Sequence, residues 1–203
     1  MQAAKSRKGS TRITEILRAT LDLLAEDGYA DISFTSVARR VGIAKGNLQY
    51  YFPTRDSLLC DALELQVDDL KHRWSRAFDT VDDPWARLDS MIDEDVKLSR
   101  SEIRKALALE KWAYASRDER ARRIFAEWFE WIIDQHAAIV GALRPELSRT
   151  DRYRLATLVT SLVTGMWPLF GANRIRRPGM TRLPAAFKAA VRNLIHGYAA
   201  TSG

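Results

Sequence analysis

The chain has 203 residues, of which 46% are hydrophobic and 29% are charged, so it can fill one large core or form a small domain fused to a bigger one. No stretch approaches the roughly 18 uninterrupted apolar residues of a membrane span, and the charged opening residues have no apolar run behind them, so we expect a cytoplasmic protein with no membrane partner. The single cysteine excludes an intramolecular disulfide and a structural zinc site built on thiolates.

Positive charge is concentrated at the start of the chain. The formal net charge is +6, which favours a polyanionic partner but is also common among ordinary proteins. The first twelve residues have no acidic side chain and four basic ones, namely Lys5, Arg7, Lys8 and Arg12. Such a segment can follow a phosphate backbone as a mobile arm, and the alternative is a solvated tail.

The first predicted helix spans about residues 11–27. Apolar side chains recur there at every third or fourth position from Ile13 to Leu24, which is the spacing of one helical face. Gly28 follows, and we expect it to end the helix because glycine readily adopts the left-handed conformation found at helix ends.

Two short helices are predicted next. A hydroxyl of Thr35 or Ser36 can cap the second helix by accepting a hydrogen bond from the backbone. Gly42 is expected to end that helix after about two turns. Pro53 ends the third helix because proline disfavours the α conformation in the residue before it.

Beyond residue 54 the apolar periodicity predicts longer helices and no strands. Asp83, which precedes Pro84, and Asp118 are expected to cap two of them. The fold class is therefore all-α, with three short helices at the N-terminus and a larger helical body, about nine helices in all. The predicted longer segments are 55–78, 84–99, 102–116, 119–143, 150–171 and 184–199.

The second and third helices carry a helix-turn-helix pattern. This motif needs a small residue where its helices cross, a turn residue tolerant of left-handed geometry, and an apolar residue that roots the second of the two helices. Ala38, Gly42 and Leu48 supply these properties, with spacings of four and six residues. The alternative is a helical hairpin that only packs. The supporting apolar residues are Val37, Val41 and Ile43.

The third helix is predicted to present a polar face to DNA. At about 100° per residue, Ala44, Leu48 and Phe52 lie on the inward face. The outward face has a glycine, which lets another backbone come close, and side chains that can bond to base edges or phosphates. The outward residues are Gly46, Asn47, Gln49 and Tyr50, flanked by Lys45.

This stretch resembles the signature of the TetR family of transcription regulators. The resemblance covers about residues 11–63 and is carried by GYADISFTSVARRVGIAKGNLQYYFPTRDSLL. It implies that Tyr51 and Arg55 contact DNA phosphates. The start of the second helix, at Thr35 and Ser36, is implied to do the same.

Three positions depart from the family pattern. Gln49 stands where the family usually has Tyr, Asn47 where Thr is frequent, and Ala44 where Ser is frequent. The resemblance therefore implies double-stranded operator DNA as a partner but leaves the operator sequence open.

The resemblance also implies a division into two domains. Residues 1–55 would form the helix-turn-helix DNA-binding domain, and residues 56–203 a helical domain for ligand binding and dimerisation. The implied function is a ligand-responsive transcriptional regulator, a repressor that a small apolar effector releases from a palindromic operator.

In TetR-like proteins the last two helices of two subunits form the interface of a homodimer. The matching segments here are rich in small and branched side chains that permit close helix approach. The alternative is that these side chains are buried within their own subunit. The candidate interface residues are Leu155, Leu158, Val159, Leu162, Val163, Ala189 and Leu194.

Large apolar side chains are frequent in the predicted body. A helical interior lined in this way can hold an apolar or aromatic small molecule, and the alternative is a well-packed core. Polar groups such as Tyr114, Gln135 and His136 could orient a ligand there, and the favoured alternative for His136 is an exposed or hydrogen-bonded structural histidine. The candidate pocket residues are Met91, Trp112, Phe125, Trp128, Trp131, Trp167 and Phe170.

The sequence offers no pattern typical of an enzyme. Its three histidines lie far apart, and it has no zinc-binding His-Glu motif, no glycine-rich phosphate loop and no serine elbow. We therefore predict no catalytic residue, no metal ligand and no cofactor. A helical adaptor for membrane surfaces or protein partners is an alternative that leaves the helix-turn-helix pattern without a purpose.

Overall fold

The structure is a computed structural model of the chain. In the described ranges, 2–100, 102–171 and 182–200, it contains nine helices and no strand, which confirms the all-α prediction. Side chains are described in these ranges except for residues 2–10, 77–79, 102–107 and 167–171. The helices are α1 (Gln2–Asp27), α2 (Phe34–Val41), α3 (Lys45–Tyr51), α4 (Arg55–Asp79), α5 (Pro84–Ser99), α6 (Glu102–Ala115), α7 (Glu119–Leu143), α8 (Arg149–Gly171) and α9 (Leu183–Gly197).

Helix α1 begins much earlier than predicted. It starts at Gln2 and not near residue 11, so the predicted mobile arm is helical backbone. The opening residues have no apolar face, but Ala, Gln, Lys and Arg are strong helix formers, and propensity can extend a helix that packing has already started. The prediction was wrong because it used apolar periodicity alone.

Helix α2 is capped by a residue that the sequence analysis did not choose. The Oγ atom of Ser33 accepts a hydrogen bond from the backbone N–H of Ser36 at 3.0 Å, and Ser36 Oγ accepts one from the Ser33 N–H at 2.9 Å. This is a reciprocal capping box. Thr35 lies inside the first turn, so the prediction of Thr35 or Ser36 as the cap was wrong by two or three positions.

The other predicted helix ends are confirmed. Gly28 and Gly42 have φ values of 79° and 66°, in the left-handed region. Asp83 Oδ2 accepts from the backbone N–H of Ala86 at 2.6 Å, and Asp118 Oδ1 caps α7 in the same way. Local turn and cap chemistry therefore fixes these helix boundaries.

The chain forms two compact units. The first contains residues 1–71 and 106–126, and the second contains residues 72–105 and 127–203. The predicted division at residues 55 and 56 concerns function, not compactness, and it stays a prediction. The fully buried side chains of the first unit include Ile16, Leu24, Leu48, Leu58 and Leu63.

The second unit has one apolar core formed by α5, α7, α8 and α9. Two ion pairs hold α9 to α5, from Arg192 to Asp89 at 2.8 Å and from Lys188 to Asp93 at 2.6 Å. No helix in the described ranges is both long enough and apolar enough to cross a membrane. The core includes Leu88, Met91, Ile92, Ile132, Val140, Leu155, Val159, Val191 and Ile195.

Candidate nucleic-acid interface

Helices α2 and α3 form the predicted helix-turn-helix. Gly42 takes the left-handed conformation between them, and the N–H of Ile43 donates to the carbonyl of Ala38 at 3.0 Å. Ala38 and Leu48 are buried. The small crossing residue, the left-handed turn and the rooting leucine thus have the predicted roles.

The inward face of α3 is smaller than predicted. Leu48 and Phe52 are buried, but Ala44 is exposed. Ala44 is the residue before the first turn, and its backbone is extended, with φ −67° and ψ 141°. It therefore lies outside the helical repeat on which its inward position was predicted.

The opposite side of α3 is open to solvent, as predicted. Tyr50 is 86% exposed, and its ring contacts that of Tyr51 edge-on, with 5.5 Å between the ring centres. Within the described part of the chain, no carboxylate lies at ion-pair distance from Lys45. We call this the α3 surface. It consists of the exposed residues Lys45, Gly46, Asn47, Gln49 and Tyr50.

Two hydroxyl-bearing side chains, Thr35 and Ser36, lie at the start of α2. Thr35 is exposed. Ser36 is half-buried, and its hydroxyl takes part in the capping box with Ser33. Of the two predicted phosphate contacts, Thr35 can reach a ligand without loss of a helix cap.

Arg55, at the start of α4, is held against Tyr29. One terminal nitrogen of its guanidinium donates to the carbonyl oxygen of Tyr29. Its central carbon lies 4.1 Å from the centre of the Tyr29 ring, a cation–π contact. The side chain is only half-exposed, so its role as a phosphate contact stays a prediction.

Tyr29 belongs to a cluster that the sequence analysis missed. Its ring stacks on that of Tyr114, with centres 4.9 Å apart, and its backbone N–H donates to Glu110 Oε2 at 3.2 Å. The hydroxyl of Tyr114 donates to Asp56 at 3.3 Å. We call Tyr29, Arg55, Asp56, Glu110 and Tyr114 the Tyr29 cluster. It joins the loop after α1 and the start of α4 to α6, within the first unit.

The Tyr29 cluster has no local sequence signature. Tyr29 and Glu110 are 81 residues apart, and Tyr114 was predicted as a group that could orient a ligand. Burial raises the pKa of Tyr114 far above its usual value, so its phenol stays a hydrogen-bond donor. Tyr114 therefore has a structural role in the Tyr29 cluster of the first unit.

Positive charge is concentrated in residues 1–55, the predicted DNA-binding segment. Residues 1–55 contain nine basic and five acidic side chains. Arg40 is paired with Glu26 at 2.6 Å, and this hydrogen bond lowers the pKa of Glu26. Arg39 and Lys45 are exposed, and both are available to phosphates.

The predicted pocket residues belong to two different units. Met91 is buried in the core of the second unit, where Trp128 and Trp131 are half-buried and stack with ring centres 5.5 Å apart. Trp112 is 52% exposed in the first unit, and its ring centre lies 6.1 Å from that of Phe125. The side chains of Trp167 and Phe170 lie outside the described residues.

The predicted interface residues of α8 lie on two different faces. Three of them are buried within their own unit, so their assignment to a dimer interface was wrong. Their spacing of four residues places them on the inward face of the helix. Leu158 and Leu162 face outward and are 46% and 44% exposed. The buried residues are Leu155, Val159 and Val163.

On α9, Ala189 is exposed, whereas Leu194 is half-buried and packs against the core. The outward sides of α8 and α9 therefore carry Leu158, Leu162 and Ala189 from the predicted set.

The segment that contains the helix-turn-helix matches a known family model. Residues 16–62, from α1 to the start of α4, match the model described as bacterial regulatory proteins of the tetR family. This segment is a TetR-family helix-turn-helix, and the chain is similar to curated helix-turn-helix transcriptional regulators. The TetR resemblance of the sequence is thus confirmed.

Two curated relatives extend this similarity. The regulator BetI 1 of Chromohalobacter salexigens is 24% identical over 163 residues, which cover 77% of each chain. The transcriptional repressor KstR of Mycolicibacterium smegmatis is 33% identical over 99 residues, which cover 49% of this chain and 47% of KstR. Both relatives are transcriptional regulators.

Among the described residues of this chain, no three side chains that could hold a metal ion lie together.

Solved structures share the fold. A TetR transcription regulator from Haloarcula marismortui aligns with a TM-score of 0.76 at 21% identity, covering 93% of this chain and 98% of that one. A transcriptional regulator from Saccharomonospora viridis, solved in complex with choline, aligns with the same TM-score at 18% identity, covering 92% and 96% of the two chains.

Proposed function

We propose that this TetR-family regulator is a cytoplasmic, ligand-responsive repressor. It binds a palindromic operator as a homodimer through the α3 surfaces of two subunits, and a small, mainly apolar effector releases it. Thr35, Tyr51 and Arg55 add phosphate contacts around each α3 surface.

The α3 surface carries the proposal of sequence-specific binding. Gln49 and Asn47 have the paired donor and acceptor atoms that match the major-groove edge of adenine. Apart from its two neighbours and the nearby backbone of its own helix, no heavy atom of the described residues lies within 4 Å of the position where a Cβ of Gly46 would stand. A DNA backbone can therefore come close to it. A polar helical face with these groups has no evident use within the subunit itself.

The exposed side of α8 supports the proposal of a homodimer. Leu158 and Leu162 are large apolar side chains near half exposure on a helix whose other face is fully buried. Ala189 offers a small partner surface on α9. A two-fold contact along these helices would present two α3 surfaces in inverted orientation, and protein symmetry of this kind requires a palindromic site.

The interior of the second unit is the proposed effector site. Met91, Trp128 and Trp131 give it apolar and aromatic surface, and Trp167 and Phe170 are kept as candidates on α8. The exposure of Trp112 does not favour it as a pocket residue. A bound small molecule in the regulator from Saccharomonospora viridis supports a ligand-binding body.

The effector must distinguish two states of the protein to release DNA. A ligand that binds the DNA-free geometry about a hundredfold more tightly supplies roughly 2.7 kcal/mol per site, enough to empty a nanomolar complex at cellular concentrations. A ligand with equal affinity for both states would shift nothing.

The proposal is tested by selecting binding sites from random DNA duplexes. We expect a two-fold symmetric site whose half-site centres lie about one helical turn or a multiple apart. Lys45→Ala should weaken binding to all sequences alike and reduce the salt dependence by about one phosphate contact. Arg123→Ala, which removes an exposed charge from α7, is the matched control. Failure to enrich any duplex sequence would contradict the proposal.

A further inference from the structure

His136 is a polar side chain enclosed in the second unit. It lies on α7 and is 2% exposed. Its Nδ1 atom lies 2.8 Å from Oγ1 of Thr160, on α8. Thr160 is also buried. The two side chains form a polar pair between two helices whose buried side chains are mostly apolar.

The hydrogen bond of Thr160 fixes where the imidazole proton is. The Thr160 hydroxyl donates its one proton to the carbonyl oxygen of Ala156 at 2.8 Å. Oγ1 can therefore only accept from His136, so Nδ1 carries the proton and donates. In a neutral imidazole the other nitrogen, Nε2, is then an acceptor with a free lone pair.

Nε2 of His136 has no hydrogen-bond partner among the described residues, although it is fully buried. The residues on the same side of α7, at spacings of three and four, are apolar: Ile132, Ile139 and Val140. Burial lowers the pKa of His136 to about 4, and no charged group contributes to this shift. The ring is therefore neutral at physiological pH.

We propose that Nε2 of His136 is the recognition atom of the effector site and accepts a hydrogen bond from a hydroxyl or N–H group of an otherwise apolar effector. A buried acceptor without a partner is costly, so a donor that reaches it gains more than the same donor gains in water. This inference rests on the proposed function in one respect, that the second unit binds an effector.

The expected effector class follows from the lone pair. Alcohols, phenols, amides and amines can donate to Nε2. A carboxylate can only accept, and it would need a protonated imidazole that burial opposes. The effector is thus expected to be neutral at its recognition group, with an apolar remainder.

Matched pairs of probes test this preference. Naphthol, phenylphenol and octanol are each compared with their methyl ethers, which keep the skeleton but remove the donor. Binding to the full-length protein is measured by equilibrium dialysis. We expect at least one hydroxyl compound to bind about tenfold more tightly than its ether. If all pairs bind equally, Nε2 is satisfied by water, and the proposal is wrong. It is also wrong if no hydroxyl compound binds.

Three variants assign the preference to His136. His136→Phe keeps a ring but removes the acceptor and should abolish the preference for hydroxyl compounds. His136→Gln retains an oxygen acceptor near the position of Nε2 and should keep it. Thr160→Val removes the group that fixes the tautomer and should reduce it. A preference that survives in His136→Phe would overturn the proposal.

The tautomer is tested without any probe or variant. Nitrogen-15 NMR of the unmodified protein at neutral pH should show His136 protonated at Nδ1 and bare at Nε2. The opposite tautomer would overturn the proposal even if the variants failed to fold. DNA binding of the unmodified protein is measured separately. If the unmodified protein prefers hydroxyl compounds but binds no operator DNA, the proposed repressor function is rejected and this inference stands.

Discussion

Arg55 and Tyr29 lie 26 residues apart and are joined twice, by a hydrogen bond to the backbone and by a cation–π contact. The hydrogen bond holds the backbone carbonyl of Tyr29, just after the end of α1. The cation–π contact covers the Tyr29 ring, which also stacks on the ring of Tyr114. Arg55 thereby orients the start of α4 against the loop after α1. In the free protein it acts as a positioning residue.

We predict that Arg55 and Tyr29 stabilise the protein jointly. Arg55→Lys keeps the charge but loses the planar contact with the ring, and Tyr29→Leu keeps an apolar side chain but loses the stacking. Each change is expected to lower the free energy of unfolding by about 1–2 kcal/mol. The double variant should lose at least about 0.5 kcal/mol less than the sum of the single losses. Urea unfolding measures this, and strict additivity would contradict the contact.

The phosphate role of Arg55 gives a separate prediction. If DNA draws the guanidinium from Tyr29 to a phosphate, Arg55→Ala lowers the slope of log affinity against log salt by about 0.9, whereas Tyr29→Leu leaves the slope unchanged. Fluorescence anisotropy over a series of salt concentrations checks both variants. An unchanged slope in Arg55→Ala would restrict Arg55 to positioning.

Gly42 and Gly46 are predicted to have different roles, Gly42 in the fold and Gly46 in DNA binding. Gly42 has a φ of 66°, and nothing lies within 4 Å of an added Cβ, so Gly42→Ala should cost about 1 kcal/mol through the backbone alone. Gly46 lies inside α3, where Gly46→Ala should stabilise the helix by about 0.5–1 kcal/mol. The operator affinity of the Gly46→Ala variant should nevertheless fall. Unfolding and binding are measured on both variants, and unchanged binding by Gly46→Ala would refute close DNA approach.

The turn at Gly42 shows what the sequence could predict. Its left-handed glycine, the buried Ala38 and the rooting Leu48 depend on neighbours within a few residues, and local rules capture such features. The cap at Ser33 was missed because Thr35 and Ser36 also carry hydroxyls, and the choice depends on the backbone angles of Ser33, which are extended.

The two faces of α8 can be separated by a matched pair of variants. Leu158→Glu and Leu162→Glu place charge on the proposed interface and should yield monomers that remain folded. Leu155→Ala removes a fully buried side chain and should cost about 2–5 kcal/mol of stability without changing the oligomeric state of the folded fraction. Ala138→Glu, at an exposed position of α7, is the control. Sedimentation that found Leu158→Glu and Leu162→Glu still dimeric would place the interface elsewhere.

Burial of His136 predicts a loss of stability in mild acid. Its pKa is about 4 in the folded protein and about 6.5 when unfolded. Between these values the unfolded chain binds more protons, so stability falls as the pH is lowered. The contribution between pH 7.5 and pH 5 is about 2 kcal/mol. Urea unfolding at both pH values should show this loss in the unmodified protein, and His136→Gln should lose correspondingly less. Equal losses of stability in the unmodified protein and in His136→Gln would contradict the role of His136 in this pH dependence.

Contacts between distant segments were beyond the reach of the sequence. The Tyr29 cluster joins residues 81 positions apart, and no periodicity links them. The sequence analysis did not distinguish the buried face of α8 from its exposed face for a related reason. Leucines and valines recur so densely in α8 that both faces look apolar. Only the packing of α5 and α9 against one face determines which of the two is buried.

The central claim is that the exposed face of α3 reads the operator sequence. The most direct measurement compares the sites selected from random duplexes by the unmodified protein and by Gln49→Ala, with Arg123→Ala as the control. We predict a changed base preference at one position of each half-site for Gln49→Ala, and a cost of about 1–3 kcal/mol on the original site. Identical selected sites with equal affinities would contradict the claim.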